Sequence, residues 1–290
     1  MKYNRHIFCF YLTEDIMKKF ICIALALILC LGLASCGSKT VSYKFLDEEL
    51  GSETYGIAFR KGDDALKDMV EGGLKAIVEN GTFDEIAAKY EDIAPYLCIK
   101  KGDFASETLP AQGSGDPNFT FKHGFDLDYP PYSYLQDDGT VGGFDVEVCQ
   151  AVCEYLGWGY EPVPFNWDAK DAELNAGSCD CIWSGITIEG REDDYLWGMA
   201  YSNNTQMIMV VDNGKIKTLA DLKGKKVGVQ TATSAYDMLE DSQAELAATF
   251  KELLVYETYT VAFNDLQAGA IDAIAIDVTS GTFLMNNASK

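Results

Sequence analysis

The sequence predicts an α/β fold with two parallel-type sheets, and three observations support it. Short apolar segments of strand length alternate with segments whose apolar residues recur at helical spacing. Hydrophobic residues make up 48% of the chain, which is enough for a packed core. The 290 residues allow one large domain or two domains of ordinary size.

The first part of the chain predicts two extended segments followed by two helices. Residues 43–46 and 54–60 have strand character and are separated by an acidic turn. Apolar residues at helical spacing over 66–78 predict a helix that Gly81 ends. Thr82 and Glu85 predict a capping box for the next helix.

The middle of the chain predicts a linker and then a regular alternation of elements. Residues 92–118 lose their periodicity among prolines and glycines, which predicts a linker of low order. Beyond the linker, strands and helices follow one another. The predicted strands are 119–127, 163–167, 206–211, 227–230, 253–256 and 271–276, and the predicted helices include 144–155, 234–239 and 263–266.

Residues 179–191 form the stretch that says most about function. The pattern predicts a buried strand, a polar turn and a helix that carries Arg191. Ser184, Gly185 and Thr187 lie where the apolar run stops, and ligands of open α/β sheets bind at that edge. A hydroxyl, a bare backbone and a guanidinium group suit a carboxylate. The alternative is a strand end with ordinary capping residues and a surface arginine.

The N-terminal segment predicts export. An apolar run over 20–34 follows Met17-Lys18-Lys19 and ends in Leu33-Ala34-Ser35-Cys36, which resembles a bacterial lipobox. Residues 1–36 are therefore expected to be a signal peptide, with Cys36 as the lipidated residue. The alternative is a soluble secreted protein in which Cys36 has no such role.

Charge and cysteine content restrict the partners. A net charge of −22 argues against nucleic acid and against adsorption to anionic lipid head groups. Five cysteines remain besides Cys36 and the three before it, an odd number that excludes a complete disulfide framework. Buried free thiols are expected. No metal and no cofactor are expected, because no histidine or CxxC pair accompanies these cysteines.

From residue 119 onward the sequence resembles the polar-amino-acid-binding proteins of bacterial ABC importers, which have the type II periplasmic-binding fold. The residues that carry the resemblance are Tyr129-Pro130-Pro131-Tyr132-Ser133, Gly143-Phe144-Asp145-Val146, Trp183-Ser184-Gly185-Ile186-Thr187-Ile188 with Arg191, residues 219–230, Ala232-Thr233-Ser234 and Ala273-Ile274-Ala275-Ile276-Asp277. The resemblance implies two α/β lobes joined by a two-strand hinge.

The order of the segments differs from that of the family. Residues 55–63 and 64–90 resemble pieces that normally follow a segment like 283–285, which predicts a circularly permuted chain in which 92–118 bridges the old ends. Residues near 41 and near 290 should then lie close together. Lobe 1 is expected to be 55–205 with the linker 92–118, and lobe 2 to be 206–290 plus 41–54. The alternative is a fragment of a tandem repeat, although no segment appears twice.

The resemblance also implies which residues bind the charged groups of an amino acid. Arg191 would bind the carboxylate, with help from Thr187 and from the Ser184–Gly185 backbone. Glu189-Gly190 is a spacer one residue shorter than in many members, which Gly190 can accommodate by a tighter turn.

The other wall of the implied site would come from the second half of the chain. Thr233 and Ser234 would offer a helix N-terminus. Asp277 would accept the ammonium group, although a helix cap is the alternative for this residue.

Aromatic and amide residues complete the implied site. Tyr129 and Trp167 would sandwich the ligand side chain, with a role as core aromatics as the alternative. Asp126 would reach the distal end of that side chain, which suggests a polar ligand. Gln206 and Gln230 are weaker candidates for which structural roles are the alternative.

The expected function is a lipid-anchored, extracytoplasmic, monomeric receptor that binds a free amino acid and delivers it to a membrane ABC permease. It is not expected to be an enzyme, because the mature chain has one histidine, His123, and no nucleophile–histidine pair, HExxH or P-loop. The alternatives are a dehydratase-type enzyme on the same fold, similar to cyclohexadienyl, prephenate or arogenate dehydratases, and a sensor lobe detached from a receptor.

Overall fold

A computed structural model describes residues 41–136 and 138–288. Most of its strands form one mixed sheet of nine strands, in the order β11-β10-β12-β9-β1-β7-β2-β6, with β8 paired to β1. A second, small sheet has the order β3-β4-β5. The strands are β1 (Tyr43–Phe59), β2 (Thr120–Asp126), β3 (Asp128–Tyr129), β4 (Ser133–Leu135), β5 (Val141–Gly142), β6 (Gly159–Phe165), β7 (Cys181–Thr187), β8 (Leu196–Trp197), β9 (Ser202–Val211), β10 (Lys226–Gln230), β11 (Glu252–Tyr256) and β12 (Ala273–Asp277).

Helices cover the sheet. The α-helices are α1 (Asp64–Asn80), α2 (Thr82–Ala87), α3 (Phe144–Leu156), α4 (Lys170–Ala176), α5 (Ser234–Glu240), α6 (Ala244–Ala247), α7 (Tyr259–Ala268) and α8 (Val278–Asn287). Single 3₁₀ turns occur at Ala94–Tyr96, Trp167–Ala169 and Leu219–Leu222. The regular alternation beyond residue 119 is therefore confirmed.

Two long strands run through the middle of the sheet and pair with each other. β1 pairs with β9 in antiparallel register from Tyr43 opposite Val211 to Tyr55 opposite Ser202. The far end of β1 pairs with β7, and the far end of β9 pairs with β12. All strands on one side of this pair therefore connect to all strands on the other side through β1 and β9.

The N-terminal helices belong to the main core. α1 ends at Gly81, which has a φ of 94° and donates its N–H to the carbonyl of Val78, as predicted. Leu74 is fully buried in the largest apolar cluster. At Gly73 the helix lies so close to α3 that a Cβ atom there would be 2.9 Å from Val152. Residues 64–80 thus pack against a helix that follows them by more than sixty positions in the sequence.

Several local predictions were wrong. The two extended segments are one strand, because pairing with β9 continues through the acidic residues between them. The two expected sheets form one large sheet, because β1 and β9 pair with each other and connect the strands on both sides. Thr82 makes no cap, because Gly81 occupies the N-cap position of α2. The residues after β7 form turns instead of a helix.

The segment 92–118 has little regular structure but is tied to the core. The N–H of Gly113 donates to the carbonyl of Tyr155 at 2.8 Å, and the N–H of Gly115 donates to that of Leu156 at 2.9 Å. The Tyr155 hydroxyl donates to the carbonyl of Pro110. The structure therefore contradicts the prediction of low order: residues 110–115 lie along the C-terminal end of α3, and the N–H groups of Gly102 and Phe104 donate to Glu79 of α1.

The expected buried free thiols are present at four of the five cysteines that the structure describes. Within the described ranges, Cys149, Cys153, Cys179 and Cys181 are buried free thiols, whereas Cys98 is exposed. The same ranges contain no group of three or more metal-ligating side chains. No helix of residues 41–136 or 138–288 is long and apolar enough to span a bilayer. Residues 1–36, with the predicted signal peptide and Cys36, lie outside the described residues.

Truncating Leu74 tests whether the N-terminal segment folds as part of the main core. We expect Leu74→Ala to lower the free energy of unfolding by about 3 kcal/mol, because it leaves a cavity in a fully buried site. The measurement is urea denaturation followed by fluorescence. The control is Leu135→Ala, where the side chain is 54% exposed and the change should be below about 0.5 kcal/mol. An unchanged main transition in Leu74→Ala would mean that α1 unfolds separately.

Candidate functional site

One cavity lies at the carboxyl ends of strands from both sides of the sheet, the edge at which α/β proteins bind ligands. The residues that line it are Asp126, Tyr129, Trp167, Ser184, Gly185, Thr187, Arg191, Gln230, Thr233, Ser234 and Asp277. All ten predicted site residues are among them, and the eleventh is the weaker candidate Gln230. The structure therefore brings these residues together at one cavity, as predicted. Their roles toward a ligand remain predictions.

β7 supplies one wall, and a tight turn brings Arg191 to it. Gly190 has a φ of 80°, a conformation that a side chain would strain, and the N–H of Arg191 closes the turn on the carbonyl of Ile188. The short spacer before Arg191 thus still directs this residue to the cavity. The Thr187 hydroxyl donates to Glu53 at 2.9 Å.

Gly185 is fixed by a buried acid behind the wall. Its φ is 56°, and a Cβ atom there would lie 2.5 Å from the ring of Tyr129, so only glycine fits. Its N–H donates to Asp145 Oδ2 at 2.9 Å, and Tyr201 donates to the same oxygen at 2.7 Å. The Gly185 N–H is therefore used inside the protein, and Asp145 holds this part of β7 in position.

Asp126 ends β2 and faces the cavity from the same side. Its carboxylate accepts from the Asp128 N–H at 3.0 Å and from Gln230 Nε2 at 2.8 Å. Burial raises the pKa of Asp126 to about 6, although these two donors oppose the rise. The bond from Gln230 joins β10 to β2 across the cavity.

The two predicted aromatic residues take different positions. Tyr129 stacks on Tyr132 with ring centroids 5.3 Å apart, and its hydroxyl lies 2.8 Å from that of Tyr55. Trp167 donates its Nε1–H to the carbonyl of Ala232 at 3.0 Å, and Lys170 lies 5.2 Å from its ring centroid. Both residues line the cavity, so neither is only a core aromatic.

Asp277 ends β12 at the N-terminus of α8 but makes no capping hydrogen bond. Its Oδ1 atom accepts from Tyr55, from Asn204 Nδ2 at 2.8 Å and from Gln206 Nε2 at 2.6 Å. Burial, and then the charge of Glu53, raise the pKa of Asp277 to about 7. The helix-cap alternative for Asp277 therefore does not describe its side chain.

Sequence reasoning missed three residues next to the cavity: Glu53, Tyr55 and Asn204. Glu53 is only 3% exposed, and its Oε1 atom accepts from Asn204 Nδ2 at 2.6 Å and from Gln206 Nε2 at 2.8 Å. Glu53 and Tyr55 are two residues apart on β1 and therefore project from the same face of this strand. That spacing is visible in the sequence, but the acidic residues around Glu53 predict a turn.

Arg191 already has a partner. Its Nη2 atom lies 2.5 Å from Asp237 Oδ2 on α5, while its side chain is 13% exposed. This ion pair joins the turn after β7 to the helix after β10. The guanidinium group thus bridges the two sides of the cavity.

The cavity is small and has an open groove beside it. Its volume is about 20 Å³, where a single water molecule needs about 10–15 Å³ on the same scale. The groove has a volume of about 1140 Å³ and shares Asp126 and Trp167 with the cavity. An amino acid can enter the cavity only if its walls move apart.

This mixed α/β architecture, with a polar cavity at the strand ends, is that of a type II periplasmic-binding-protein-like fold. The family model of the bacterial extracellular solute-binding proteins, family 3, matches residues 121–260. The L-cystine-binding protein of Escherichia coli K12 is 32% identical over 157 residues, which cover 53% of this chain and 57% of that protein. The L-arginine-binding protein of Pseudomonas aeruginosa is 30% identical over 171 residues, with coverages of 58% and 65%.

A solved structure that resembles this chain belongs to the same class of binding proteins as the sequence relatives. An ABC uptake transporter substrate-binding protein from Streptococcus pneumoniae, with bound histidine, is 31% identical and has a TM-score of 0.55, with coverages of 58% of this chain and 70% of that chain. The chain belongs to the bacterial extracellular solute-binding proteins, family 3. It spans 57% of the length of the E. coli relative that it matches.

Replacing Asp145 tests the electrostatics behind the cavity wall. Burial raises the pKa of Asp145 to about 8, so the folded protein keeps a proton that the unfolded chain loses near its ordinary pKa of 3.8. Stability should therefore fall as the pH rises from about 4 to about 8, at up to about 1.4 kcal/mol per pH unit for this group.

We expect Asp145→Asn to reduce this loss, because the amide cannot ionise but still accepts from Gly185 and Tyr201. Denaturation curves at about pH 5 and about pH 8 measure the difference. Asp193→Asn, at an exposed position, should keep the wild-type slope. An equal slope in Asp145→Asn would show that Asp145 does not bind the extra proton.

Proposed function

We propose that the protein is an extracytoplasmic receptor that binds a free polar amino acid in the cavity and delivers it to an ABC importer. The observation that carries the proposal is the convergence of a guanidinium group, Arg191, and a buried carboxylate, Asp277, at one cavity. A zwitterion needs both charges, because burying either of its ends without a partner is costly. Relatives named for binding cystine and arginine support the same class of ligand.

The two ends of the ligand would meet opposite charges. Arg191 would bind the carboxylate with its two-pronged guanidinium group, sharing it with or taking it from Asp237. Thr187, Ser184 and Gly185 would line this end.

The rest of the ligand would contact the other walls of the cavity. Asp277 would accept the ammonium group, and Thr233 and Ser234 would flank the ligand at the start of α5. Tyr129 and Trp167 would enclose the side chain, and Asp126 would contact its distal end.

Binding would require two lobes to open and close about β1 and β9. We assign lobe 1 to 55–205 and lobe 2 to 206–290 plus 41–54. The small cavity supports this motion. The polar ties that join the two sides include Arg191 to Asp237, Trp167 to Ala232, Gln230 to Asp126, Asn166 to Glu257, Asp128 to Thr260 and Pro130 to Ser280. Such ties can break while the paired β1 and β9 bend.

The order of the segments would be a circular permutation. In support, α8 near the C-terminus packs on the first residues of β1: a Cβ atom at Gly281 would be 2.6 Å from Phe45. The match to the solved structure also leaves part of that chain uncovered, as expected if the pieces that would complete it come first in this sequence. Cys36 would attach a mature chain of this kind to the membrane by lipid.

A dehydratase is the second candidate. The acids with raised pKa values, Asp126 and Asp277, are what a general acid requires. Against it, His123 is fully buried on β2, donates to the carbonyl of Trp183 at 2.6 Å, and has its pKa lowered by burial to about 4. The relatives are named as binding proteins, which favours the receptor over the enzyme and over a detached sensor lobe.

Calorimetric titration of the protein with each of the twenty amino acids tests the proposal. We expect saturable heat with one or a few polar amino acids and no turnover, because the cavity pairs both charges of a zwitterion. Product formation from prephenate or arogenate would favour the dehydratase. The absence of heat with every amino acid would refute the receptor proposal.

Removing the guanidinium group tests the assigned carboxylate contact. We expect Arg191→Ala to weaken binding about a hundredfold, or roughly 3 kcal/mol, because it removes a charge-assisted pair. Arg191→Lys should lie between wild type and Arg191→Ala, since it keeps the charge but loses the planar fork. Lys223→Ala removes an exposed cation elsewhere and should bind normally. Wild-type affinity in Arg191→Ala would exclude this residue from the site.

A further inference from the structure

Glu53 is a buried acid next to the cavity that the proposed recognition does not use, and it accepts a hydrogen bond from Thr187 of the cavity wall. It lies on β1, opposite Asn204 of β9, and Gln206 of β9 lies opposite Asp277 of β12. Residues opposite each other in antiparallel strands project from the same face, as do residues two apart on one strand. The three adjacent strands therefore place all four polar side chains on one face of the sheet.

Two amide groups join the two acids. Asn204 Nδ2 lies 2.6 Å from Glu53 Oε1 and 2.8 Å from Asp277 Oδ1. Gln206 Nε2 lies 2.8 Å from Glu53 Oε1 and 2.6 Å from Asp277 Oδ1. One oxygen of each carboxylate thus approaches the same two nitrogen atoms, so the acids are close neighbours.

Among the residues that the structure describes, no cation neutralises this pair. In residues 41–136 and 138–288, neither Glu53 nor Asp277 forms an ion pair with a lysine, arginine or histidine. The nearby guanidinium group, that of Arg191, is paired with Asp237.

The other groups that face the pair are neutral. The acids themselves face the hydroxyl of Thr187 on β7 and the phenols of Tyr55 on β1, Tyr129 on β3 and Tyr259 on α7, whereas the hydroxyls of Ser234 on α5 and Thr279 on α8 contact the two amides. Burial holds the pKa values of these three phenols well above their ordinary range.

Two adjacent buried carboxylates do not both ionise without a compensating charge, because each loses its hydration and repels the other. A proton or another cation must be present. Both acids are at least 96% buried, and the surrounding amides supply dipoles but no charge.

Resting on the function proposed above, we propose that Glu53 and Asp277 together form the cation subsite of the cavity, which holds one proton in the free protein and exchanges it for the ammonium group of the ligand. The exchange is balanced: an ammonium cation enters, one proton leaves to the solvent, and no covalent bond to carbon changes. Glu53 is then a second anionic contact for the ligand, provided by β1.

This exchange makes affinity depend on pH in one direction. At low pH the ligand must displace the proton, so binding weakens as the pH falls through the pKa of Asp277, about 7. One displaced proton changes affinity by at most about tenfold per pH unit. Affinity should thus rise about twentyfold from about pH 5.5 to about pH 7.5 and then level off.

The test measures the proton directly. L-Arginine is the probe, with L-glutamine as a second one, because the ammonium groups of both stay protonated at this pH. The full-length protein is titrated by calorimetry at about pH 6.5 in two buffers with different ionisation enthalpies. We expect about half a proton or more to be released per ligand bound.

Matched variants assign the proton to the pair. Glu53→Gln keeps an acceptor for Asn204 and Gln206 but removes one charge, and it should abolish most of the proton release and weaken binding above about pH 7.5 about tenfold. Glu49→Gln makes the same change at an exposed position of β1 and should behave as wild type.

The outcomes separate the two proposals. Binding by wild type without proton release overturns the exchange and leaves the receptor function in place. Binding with the same proton release in Glu53→Gln overturns the role of Glu53. The absence of heat with every amino acid refutes the receptor itself. If Glu53→Gln does not fold, the comparison of wild type in the two buffers still decides whether a proton leaves.

Discussion

The antiparallel pairing of β1 with β9 holds the two sides of the large sheet together. These strands run side by side from Tyr43 and Val211 to Tyr55 and Ser202, and every other strand of that sheet reaches the opposite side through them. Because the pleat alternates side chains, the same register directs Glu53, Asn204 and Gln206 to the cavity. A slip of one residue would turn these groups to the other face, so the pairing fixes the fold and the site together.

The cavity is also shaped by the cost of burying charge. The acids Asp126 and Asp277 line it and Glu53 lies next to it, whereas Arg191 brings one guanidinium group, which already faces Asp237. The amides of Asn204, Gln206 and Gln230 supply donors, which lower the cost of burial but leave the net charge negative. This excess of negative charge favours a ligand that brings positive charge. It also favours protonation of the acids in the free protein.

The residues behind the cavity hold those that line it in position. Asp145, at the start of α3, fixes the Gly185 N–H, and Gly185 in turn allows the ring of Tyr129 to approach. The N-terminal segment contributes on both sides: β1 carries Glu53 and Tyr55, while α1 packs on the helix that begins beside Asp145. A chain in this order therefore builds its site from residues far apart in sequence.

Most of the elements beyond residue 119 could be predicted from the sequence, and so could ten of the residues that line the cavity. Alternation, capping glycines and short motifs are local properties, and local spacing is enough to predict them. Spacing could not show that β1 is continuous, that one sheet joins both sides, or that Glu53 lies beside Asp277. Those features depend on which strands become neighbours and in what register. That choice is made by long-range pairing and burial, which leave little trace in the spacing of nearby residues.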